Sequence, residues 1–243
     1  MKLRYDVVDG IGRITLAAPP RNLLDHPEFE ERATLEAFLA KPELEAVIVQ
    51  GEGRHFCAGA ELRSLRRLTA EPAALEAALG RGKALLDVLS YARVPVLALI
   101  RGACLGAGLE IALSCHFRMA SENALLGLPE TGLGLMPGFG GTILAQEAVG
   151  RAKAIELVLS GRLVGAEEAR VLGLVDAVAP TRELAPKAVA FLRSLVRDRS
   201  PDLVRAIMES IHNARRLPRA EAMAREAALF LQVARARFAR GPS

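Results

Sequence analysis

This sequence contains few of the residues on which disulfide-bonded, metal-binding and base-stacking proteins depend. The 243 residues include three cysteines and no tryptophan, and aromatic residues make up 4% of the chain. Cys57, Cys104 and Cys115 are odd in number and lack the spacing of metal ligands, which favours free thiols in a reducing cytoplasm. The four histidines are scattered as well. We therefore expect neither disulfides nor a bound metal.

Segments for export or membrane insertion are also missing. After Met1 the chain enters an alternating pattern without the apolar run of a signal peptide. The longest uncharged stretch, residues 131–146, is interrupted by six glycine and proline residues and cannot form a membrane helix. The sequence thus predicts a soluble, cytoplasmic protein that does not bind a membrane.

Positive charge is concentrated near the end of the chain. The net charge is +4, and residues 193–243 carry 11 arginines against five acidic residues. Such a segment could neutralise a phosphorylated ligand or a nucleic acid backbone, and a solvated helix surface explains it equally well. Because aromatic residues are scarce and no nucleic-acid-binding motif occurs, we do not expect a nucleic acid partner.

In the first half of the chain, strand patterns alternate with helix patterns. Asp9-Gly10 between two alternating apolar segments predicts a β-hairpin. The predicted strands cover 46–49, 96–100 and 117–120, and the predicted helices cover 27–40, 73–89 and 107–114. This alternation is typical of an α/β fold with a mostly parallel sheet.

The second half is predicted to be helical. The helices are expected at 139–149, 151–160, 165–172, 181–196, 201–213 and 219–238. The shift in composition predicts a core of residues 1–190 followed by a helical C-terminal region of residues 191–243. Apolar faces on the last two helices need a surface to pack on, and a partner subunit would provide one.

Two turns rich in glycine and alanine follow the two strongest strands, at residues 51–62 and 101–110. In open α/β folds ligands bind beyond the carboxyl ends of the strands, where small residues let main-chain N–H groups approach a substrate. A pair of such groups could stabilise a negatively charged oxygen. Glu110 lies one helical turn after Ala107 and could stand beside that oxygen. Alternatively, the small residues serve tight packing and Glu110 is a surface acid.

Glu130 is a second candidate acid, in an apolar segment defined by glycine and proline at residues 126–142. Apolar surroundings and a neighbouring carboxylate would both raise its pKa. An exposed loop acid is the alternative. The chain has no dinucleotide-binding motif, no Walker lysine and no nucleophile-elbow serine, and Cys57 lacks a neighbouring base, so we interpret it as a packing residue.

Three blocks together resemble the signature segments of the crotonase, or enoyl-CoA hydratase/isomerase, superfamily. They are Gly-x-Gly-x-x-Phe-Cys-Ala-Gly-Ala-Glu-Leu at 51–62, Gly-Ala-Cys-Leu-Gly-Ala-Gly-Leu-Glu at 102–110, and Pro-Glu-x-Gly-Leu-Gly-x-x-Pro-Gly-x-Gly-Gly-Thr at 129–142. The resemblance implies a crotonase-like spiral of ββα units with a helical C-terminal trimerisation region. It also implies a homotrimer or dimer of trimers. The ligand implied is an acyl thioester of coenzyme A, which is the substrate, with no separate cofactor.

The resemblance also assigns residues. It implies that the N–H groups of Ala60 and Ala107 bind the thioester oxygen and that Glu110 and Glu130 are the two acids of a hydratase. The implied substrate-binding positions are Arg21, Asn22, Leu23, Ala58, Gly59, Ala60, Glu61, Leu62, Gly106, Ala107, Pro129 and Gly138.

The activity implied by both acids is syn addition of water across the 2,3 double bond of an enoyl-CoA. The alternatives are a Δ3,Δ2-enoyl-CoA isomerase, a thioester hydrolase, a dehydratase of carrier-protein thioesters and a hydratase of cyclic dienoyl-CoA. A more distant alternative is a non-catalytic RNA-binding protein. The sequence departs from the family pattern at His116, where relatives usually have Asp, at Glu61, and in its short C-terminal segment.

Overall fold

The computed structural model describes residues 2–239, and strands alternate with helices within them. The strands are β1 (Lys2–Val8), β2 (Ile11–Ala17), β3 (Ala46–Gly51), β4 (Val96–Ile100), β5 (Ala103–Leu105), β6 (Phe117–Ser121), β7 (Leu125–Gly127), β8 (Val164–Gly165) and β9 (Ala177–Ala179). The α-helices are α1 (Arg32–Leu39), α2 (Leu62–Leu68), α3 (Pro72–Ser90), α4 (Ala107–Leu113), α5 (Gly141–Val149), α6 (Arg151–Ser160), α7 (Ala166–Leu172), α8 (Thr181–Val196), α9 (Pro201–Arg216) and α10 (Arg219–Phe238). A 3-10 helix covers Pro129–Leu133.

Two sheets of unequal size organise the chain. The main sheet has the order β1-β2-β3-β4-β6-β9, and the second sheet has the order β5-β7-β8. β1 and β2 form an antiparallel hairpin, as predicted, and both turn residues, Asp9 and Gly10, have positive φ. All later neighbours in the main sheet are parallel. A parallel bridge between Cys57 and Cys104 extends the second sheet.

The chain passes repeatedly from the main sheet to the second sheet and on to a helix. β3 is followed by Cys57 and α2, β4 by β5 and α4, and β6 by β7 and the 3-10 helix. Each passage is one ββα unit of a spiral. Because the carboxyl ends of parallel strands meet at one edge, the connections that follow β3, β4 and β6 are brought together there.

Both faces of the main sheet are covered. On one face α8 contributes Leu184, Ala188 and Leu192, which are one helical turn apart, to a cluster with β3 and β4. The other face and the second sheet enclose a larger core that includes Leu109 and Leu126. Strands buried on both faces need apolar residues at successive positions, which explains the uninterrupted apolar runs of β3 and β4.

A pair of stacked histidines attaches α9 to the body of the protein. The ring of His212 lies over that of His116, with 5.2 Å between the centroids. His116 Nδ1 accepts a hydrogen bond from the N–H of Val96 at 3.0 Å, and Nε2 lies 3.1 Å from the carbonyl oxygen of Ser90. These partners require a neutral ring with its proton on Nε2. Burial is the main cause that lowers the pKa of His116 to about 4.

The last helix packs on α9 rather than on the body, and no residue of α10 is buried. The boundary predicted between residues 190 and 191 falls inside α8, which covers the main sheet. We call the two helices that follow, α9 and α10, the C-terminal arm. Residues 240–243 of the predicted C-terminal region lie outside the described residues. Within residues 2–239, no helix is long and apolar enough to cross a bilayer.

Several elements differ from the predicted ones. The first helix begins at Arg32 and not at residue 27, although Phe29 ahead of it is buried. No helix was predicted between residues 62 and 72, where the structure has α2, and α3 begins at Pro72, one residue before its predicted start. The segment 126–142 contains β7, the 3-10 helix and the start of α5. Apart from these, the strands of two or three residues in β5, β7, β8 and β9 were not predicted.

Candidate active site

The first glycine-rich turn is held from one side by the segment that follows β2. Leu24 and Ala60 face each other in a parallel bridge. The N–H of Leu24 donates to Gly59 at 2.9 Å, and the carbonyl of Leu24 accepts from Glu61 at 2.6 Å. In this pattern the N–H of Ala60 points away from Leu24. Among the hydrogen bonds of residues 2–239, none uses that N–H group.

The second turn leads into α4 through Gly106, which has a φ of 52°. Its N–H donates to Gly127 at 2.9 Å, whereas the N–H of Ala107 has no hydrogen-bond acceptor in the described part of the chain. A side chain on Gly106 would have no room, because its Cβ would lie 2.8 Å from Glu130 Oε1 and 4.0 Å from the Cα of Gly59. The two turns and Glu130 therefore meet at Gly106.

Main-chain hydrogen bonds tie the two turns to each other. The N–H of Cys57 donates to Ala103 at 3.1 Å, and the N–H of Leu105 donates to Cys57 at 3.0 Å. Gly108 lies directly beneath the carbonyl of Cys57. This packing fixes the distance between the two turns. Two N–H groups from different turns can bind one oxygen only if that distance is fixed.

Glu110 projects from α4 into the core and is 1% exposed. Its Oε1 accepts hydrogen bonds from the N–H groups of Phe139 at 2.9 Å and Gly141 at 2.6 Å. Burial raises the pKa of Glu110 to about 7, and the negative charge of Glu130 adds to this rise, while the two N–H groups oppose it. The pKa of Glu110 is thus raised far enough for its carboxyl group to exchange a proton near neutral pH.

Glu130 lies in the first turn of the 3-10 helix. Of the buried side-chain nitrogen and oxygen atoms in residues 2–239, only its Oε2 lacks a hydrogen-bond partner. Burial raises the pKa of Glu130, in the direction that its apolar surroundings predict. A buried acceptor without a partner costs free energy, and a bound polar group would remove that cost.

Asn22, for which the resemblance implies substrate binding, has a buried side chain. It is completely buried, and its side-chain amide bonds to the main chain of four other residues. The side chain is therefore occupied by the protein's own main chain, and a substrate contact of residue 22, which its main chain would have to make, stays a prediction.

The other predicted binding positions differ in exposure. Arg21, Ala60, Leu62 and Gly138 are exposed. Gly59 and Gly106 are buried, and the partly buried positions are Leu23, Ala58, Glu61, Ala107 and Pro129. The carboxylate of Glu61 caps α2 by accepting a hydrogen bond from the N–H of Ser64 at 2.6 Å. This contact lowers the pKa of Glu61.

Sequence reasoning missed two features beside the turns. Arg63, Arg66 and Arg67 of α2 line a surface depression together with Glu61. The clustering of these three arginines in the sequence could have predicted a positively charged surface beside the turn. His55, in contrast, had no signal: its Nδ1 accepts a hydrogen bond from the N–H of Ala103 at 3.0 Å, 48 residues away. No group of three potential metal-ligating side chains occurs among residues 2–239.

Comparison with known proteins finds the same family along nearly the whole chain. A model of the enoyl-CoA hydratase/isomerase family matches residues 6–241. Over 203 residues the chain is 38% identical to a Bacillus subtilis (strain 168) protein named "Probable enoyl-CoA hydratase", with 82% of this chain and 78% of that protein covered. It is 36% identical over 198 residues to "Peroxisomal fatty acid beta-oxidation multifunctional protein MFP2" of Arabidopsis thaliana. That match covers 79% of this chain but 27% of the plant protein.

Solved structures extend the likeness to three dimensions. The crystal structure of an enoyl-CoA hydratase from Polaromonas sp. JS666 superposes with a TM-score of 0.85 at 29% identity, covering 96% of this chain and 91% of that chain. An enoyl-CoA hydratase from Bacillus anthracis gives a TM-score of 0.81 at 30% identity, with 95% and 90% covered. The predicted α/β spiral is therefore confirmed. The chain belongs to the enoyl-CoA hydratase/isomerase family, within the crotonase superfamily.

Proposed function

We propose that the protein is an enoyl-CoA hydratase that adds water in a syn manner across the 2,3 double bond of an acyl-CoA thioester. The observation that carries this proposal is the position of two protonatable carboxyl groups beside the glycine-rich turns. Glu130 Oε1 faces Gly106 at the start of α4, and Glu110 projects from the same helix. Both pKa values are raised, so an acid and a base can coexist in one site near neutral pH.

In the proposed mechanism the N–H groups of Ala60 and Ala107 bind the thioester oxygen. They polarise the conjugated double bond, which makes C3 electrophilic, and they stabilise the enolate that forms. The position of Ala107 at the start of α4 adds the partial positive charge of unpaired helix N–H groups. These donors form part of the backbone, so only a substitution by proline removes them directly.

The two carboxyl groups would then handle the protons. The ionised carboxylate removes one proton from water as the oxygen forms its bond to C3, and the electron pair of the double bond moves toward the thioester. The protonated carboxyl group delivers its proton to C2. The first group ends protonated and the second ionised, so one proton transfer between them restores the site.

The coenzyme A part of the substrate carries phosphate groups that need positive partners. Arg21 is exposed beside the first turn, and Arg63, Arg66 and Arg67 lie on the helix that follows it. We assign these arginines to the phosphates as part of the proposal. Coenzyme A enters as part of the substrate, and no separate cofactor is required by this mechanism.

An enoyl-CoA isomerase is the second candidate, and one observation favours it. Glu110 Oε1 is already bound by two main-chain N–H groups, whereas Glu130 Oε2 has no partner in the described chain. A single acid that moves a proton between C2 and C4 would need only Glu130. The raised pKa of Glu110 is left without a role in that reaction, and this is why we place the hydratase first.

We also propose a homotrimer or dimer of trimers in the cytoplasm. The support is the row of exposed apolar side chains on the C-terminal arm, which includes Ile207 and Ile211 of α9 and Phe230 and Leu231 of α10. Apolar surface of this kind is common where subunits meet. Light scattering of the purified protein tests the number of subunits.

The purified chain should be incubated with crotonyl-CoA and, separately, with a trans-3-enoyl-CoA. A hydratase consumes the ultraviolet absorbance of crotonyl-CoA and forms 3-hydroxybutyryl-CoA, which mass spectrometry detects as a gain of one water. An isomerase produces the trans-2 isomer from the trans-3 substrate without a change in mass. Release of free thiol would instead show hydrolysis, and no turnover of any of these substrates would contradict the proposal.

A further inference from the structure

Asn22 is a fully buried polar residue with an unusual backbone and a complete set of hydrogen bonds. Its φ is 51°, in the left-handed region that Asn tolerates better than most residues. Its Oδ1 accepts a hydrogen bond from the N–H of Ala18 at 3.1 Å. Its own N–H donates to the carbonyl of Ala18 at 2.8 Å. These two bonds close the turn that follows β2.

The amide nitrogen of Asn22 reaches into a different part of the chain. Nδ2 lies 3.0 Å from the carbonyl oxygen of Glu52, 2.8 Å from that of His55 and 3.1 Å from that of Phe56. These three carbonyls surround one nitrogen that carries two protons, so a single side chain holds the loop after β3 by hydrogen bonds. An apolar residue here would leave the buried carbonyls without this partner.

The residues on either side of Asn22 bind the continuation of the same loop. The carbonyl of Arg21 accepts from the N–H of Ala58 at 2.9 Å. Leu24 bonds to the residues before and after Ala60, and this contact directs the Ala60 N–H away from Leu24. The amide of Asn22 thus holds the loop at its start, and its neighbours hold the loop at its end.

We propose that Asn22 is a positioning residue that fixes the direction of the Ala60 N–H toward the thioester oxygen. The proposal rests on the proposed function of this site. Asn22 touches no reacting atom in this account. Its effect passes through the loop of residues 52–60, because a rotation of that loop would misdirect a donor whose bond to the oxygen depends on angle.

The test compares Asn22→Gly with the wild type. Glycine tolerates the left-handed backbone and removes the whole side chain, including the amide. We expect kcat for crotonyl-CoA to fall by about 10- to 100-fold, less than the ~10²–10³ typical of losing one oxyanion donor outright. KM should change by less than about threefold, because the contacts to the rest of coenzyme A remain. Asn22→Asp, which keeps Oδ1 and removes the two donors, should show the same loss.

A spectroscopic measurement separates positioning from a general loss of stability. The absorption of a conjugated dienoyl-CoA moves to longer wavelength when its carbonyl oxygen accepts strong hydrogen bonds. The wild type should produce this shift on binding, and the Asn22 variants should produce a smaller one. Ser121→Ala is the matched control, since Ser121 is also completely buried and bonds to Asn123, at the end of β6. It should lower stability without changing kcat or the spectral shift.

The outcomes distinguish this inference from the proposed function. If the wild type hydrates crotonyl-CoA and a folded Asn22 variant keeps both kcat and the full spectral shift, the positioning role is wrong while the hydratase assignment stands. If the wild type hydrates nothing but shifts the spectrum, and Asn22→Gly abolishes the shift, the positioning role stands and the hydratase assignment fails.

Discussion

Glu130 Oε1 lies against Gly106 so closely that a Cβ on Gly106 would stand 2.8 Å from it. Gly106 is also the residue that precedes α4, with φ 52° and ψ −125°, a backbone conformation open to glycine alone. One residue without a side chain therefore allows the carboxylate and the start of α4 to approach each other.

Gly106→Ala should reduce hydration by about 10-fold or more, because the methyl group displaces Glu130 and strains the backbone by ~1–3 kcal/mol. Steady-state kinetics with crotonyl-CoA checks the rate. Gly134→Ala is the control: Gly134 also has positive φ, 70°, but a Cβ there would meet no atom within 4 Å. If both variants lose equal activity, backbone strain alone accounts for the loss and the contact with Glu130 is irrelevant.

Glu130→Gln should lower kcat for crotonyl-CoA by about 10²-fold or more, since an amide cannot transfer the proton. The same variant should lose conversion of trans-3-enoyl-CoA, because both candidate reactions use Glu130. Glu43→Gln, an exposed acid between α1 and β3, is the control and should match the wild type. Wild-type turnover by Glu130→Gln would remove Glu130 from the mechanism.

Glu110→Gln separates the two candidate reactions. Hydration should fall by about 10²-fold or more, whereas conversion of a trans-3-enoyl-CoA, if the protein has that activity, should persist. Mass spectrometry measures hydration as the gain of one water, and the appearance of the conjugated enoyl absorbance measures the isomerisation. A variant that hydrates normally would show that Glu110 has a structural role through its bonds to Phe139 and Gly141.

The same substitution should stabilise the protein at alkaline pH. The folded-state pKa of Glu110 is raised to about 7 from 4.5, so between these pH values the folded protein binds a proton that the unfolded chain has released. The folded protein therefore loses stability as pH rises from the lower value to the higher one. Removing the ionised group should recover up to ~3 kcal/mol of unfolding free energy at pH 8 and little at pH 4.5. Urea denaturation at the two pH values measures the difference, and a gain that does not depend on pH would contradict this account.

His116 has the opposite dependence on pH. Its folded-state pKa is lowered to about 4 from 6.5, so the unfolded chain binds more protons between these values and stability falls as pH falls. His116→Asn can still accept the N–H of Val96 and does not titrate. Between pH 7.5 and pH 5 the wild type should lose ~2 kcal/mol relative to this variant. If the unfolding free energies of the wild type and the variant differ by the same amount across that pH range, protonation of His116 does not affect stability.

The sequence predicted the parts of the fold that have a strong local pattern. The hairpin at Asp9-Gly10, the apolar runs of β3 and β4 and the helices after residue 150 agree with the structure, except that α9 continues to Arg216 beyond its predicted end at residue 213. The strands β8 and β9 were missed because two or three residues are too few to show a period, and their pairing comes from distant partners.

In the candidate site, too, features with a local pattern were predicted and features that depend on distant partners were not. The glycine-rich turns and the two acids are visible locally, since small residues and an acid among apolar neighbours are unusual. The role of Asn22 is not visible, because its carbonyl partners lie 30 to 34 residues further along the chain.

Leu105 and Cys57 join the two turns through peptide groups alone. The junction uses no side-chain atom, although it requires glycine at position 108, where a Cβ would clash with the carbonyl oxygen of Cys57. If the proposed function holds, laboratory evolution could exchange the acids at positions 110 and 130 for other functional groups while the main-chain N–H groups still bind the thioester oxygen. The scaffold offers a starting point for new carbon–carbon, carbon–sulfur or carbon–nitrogen bond formation next to that carbonyl.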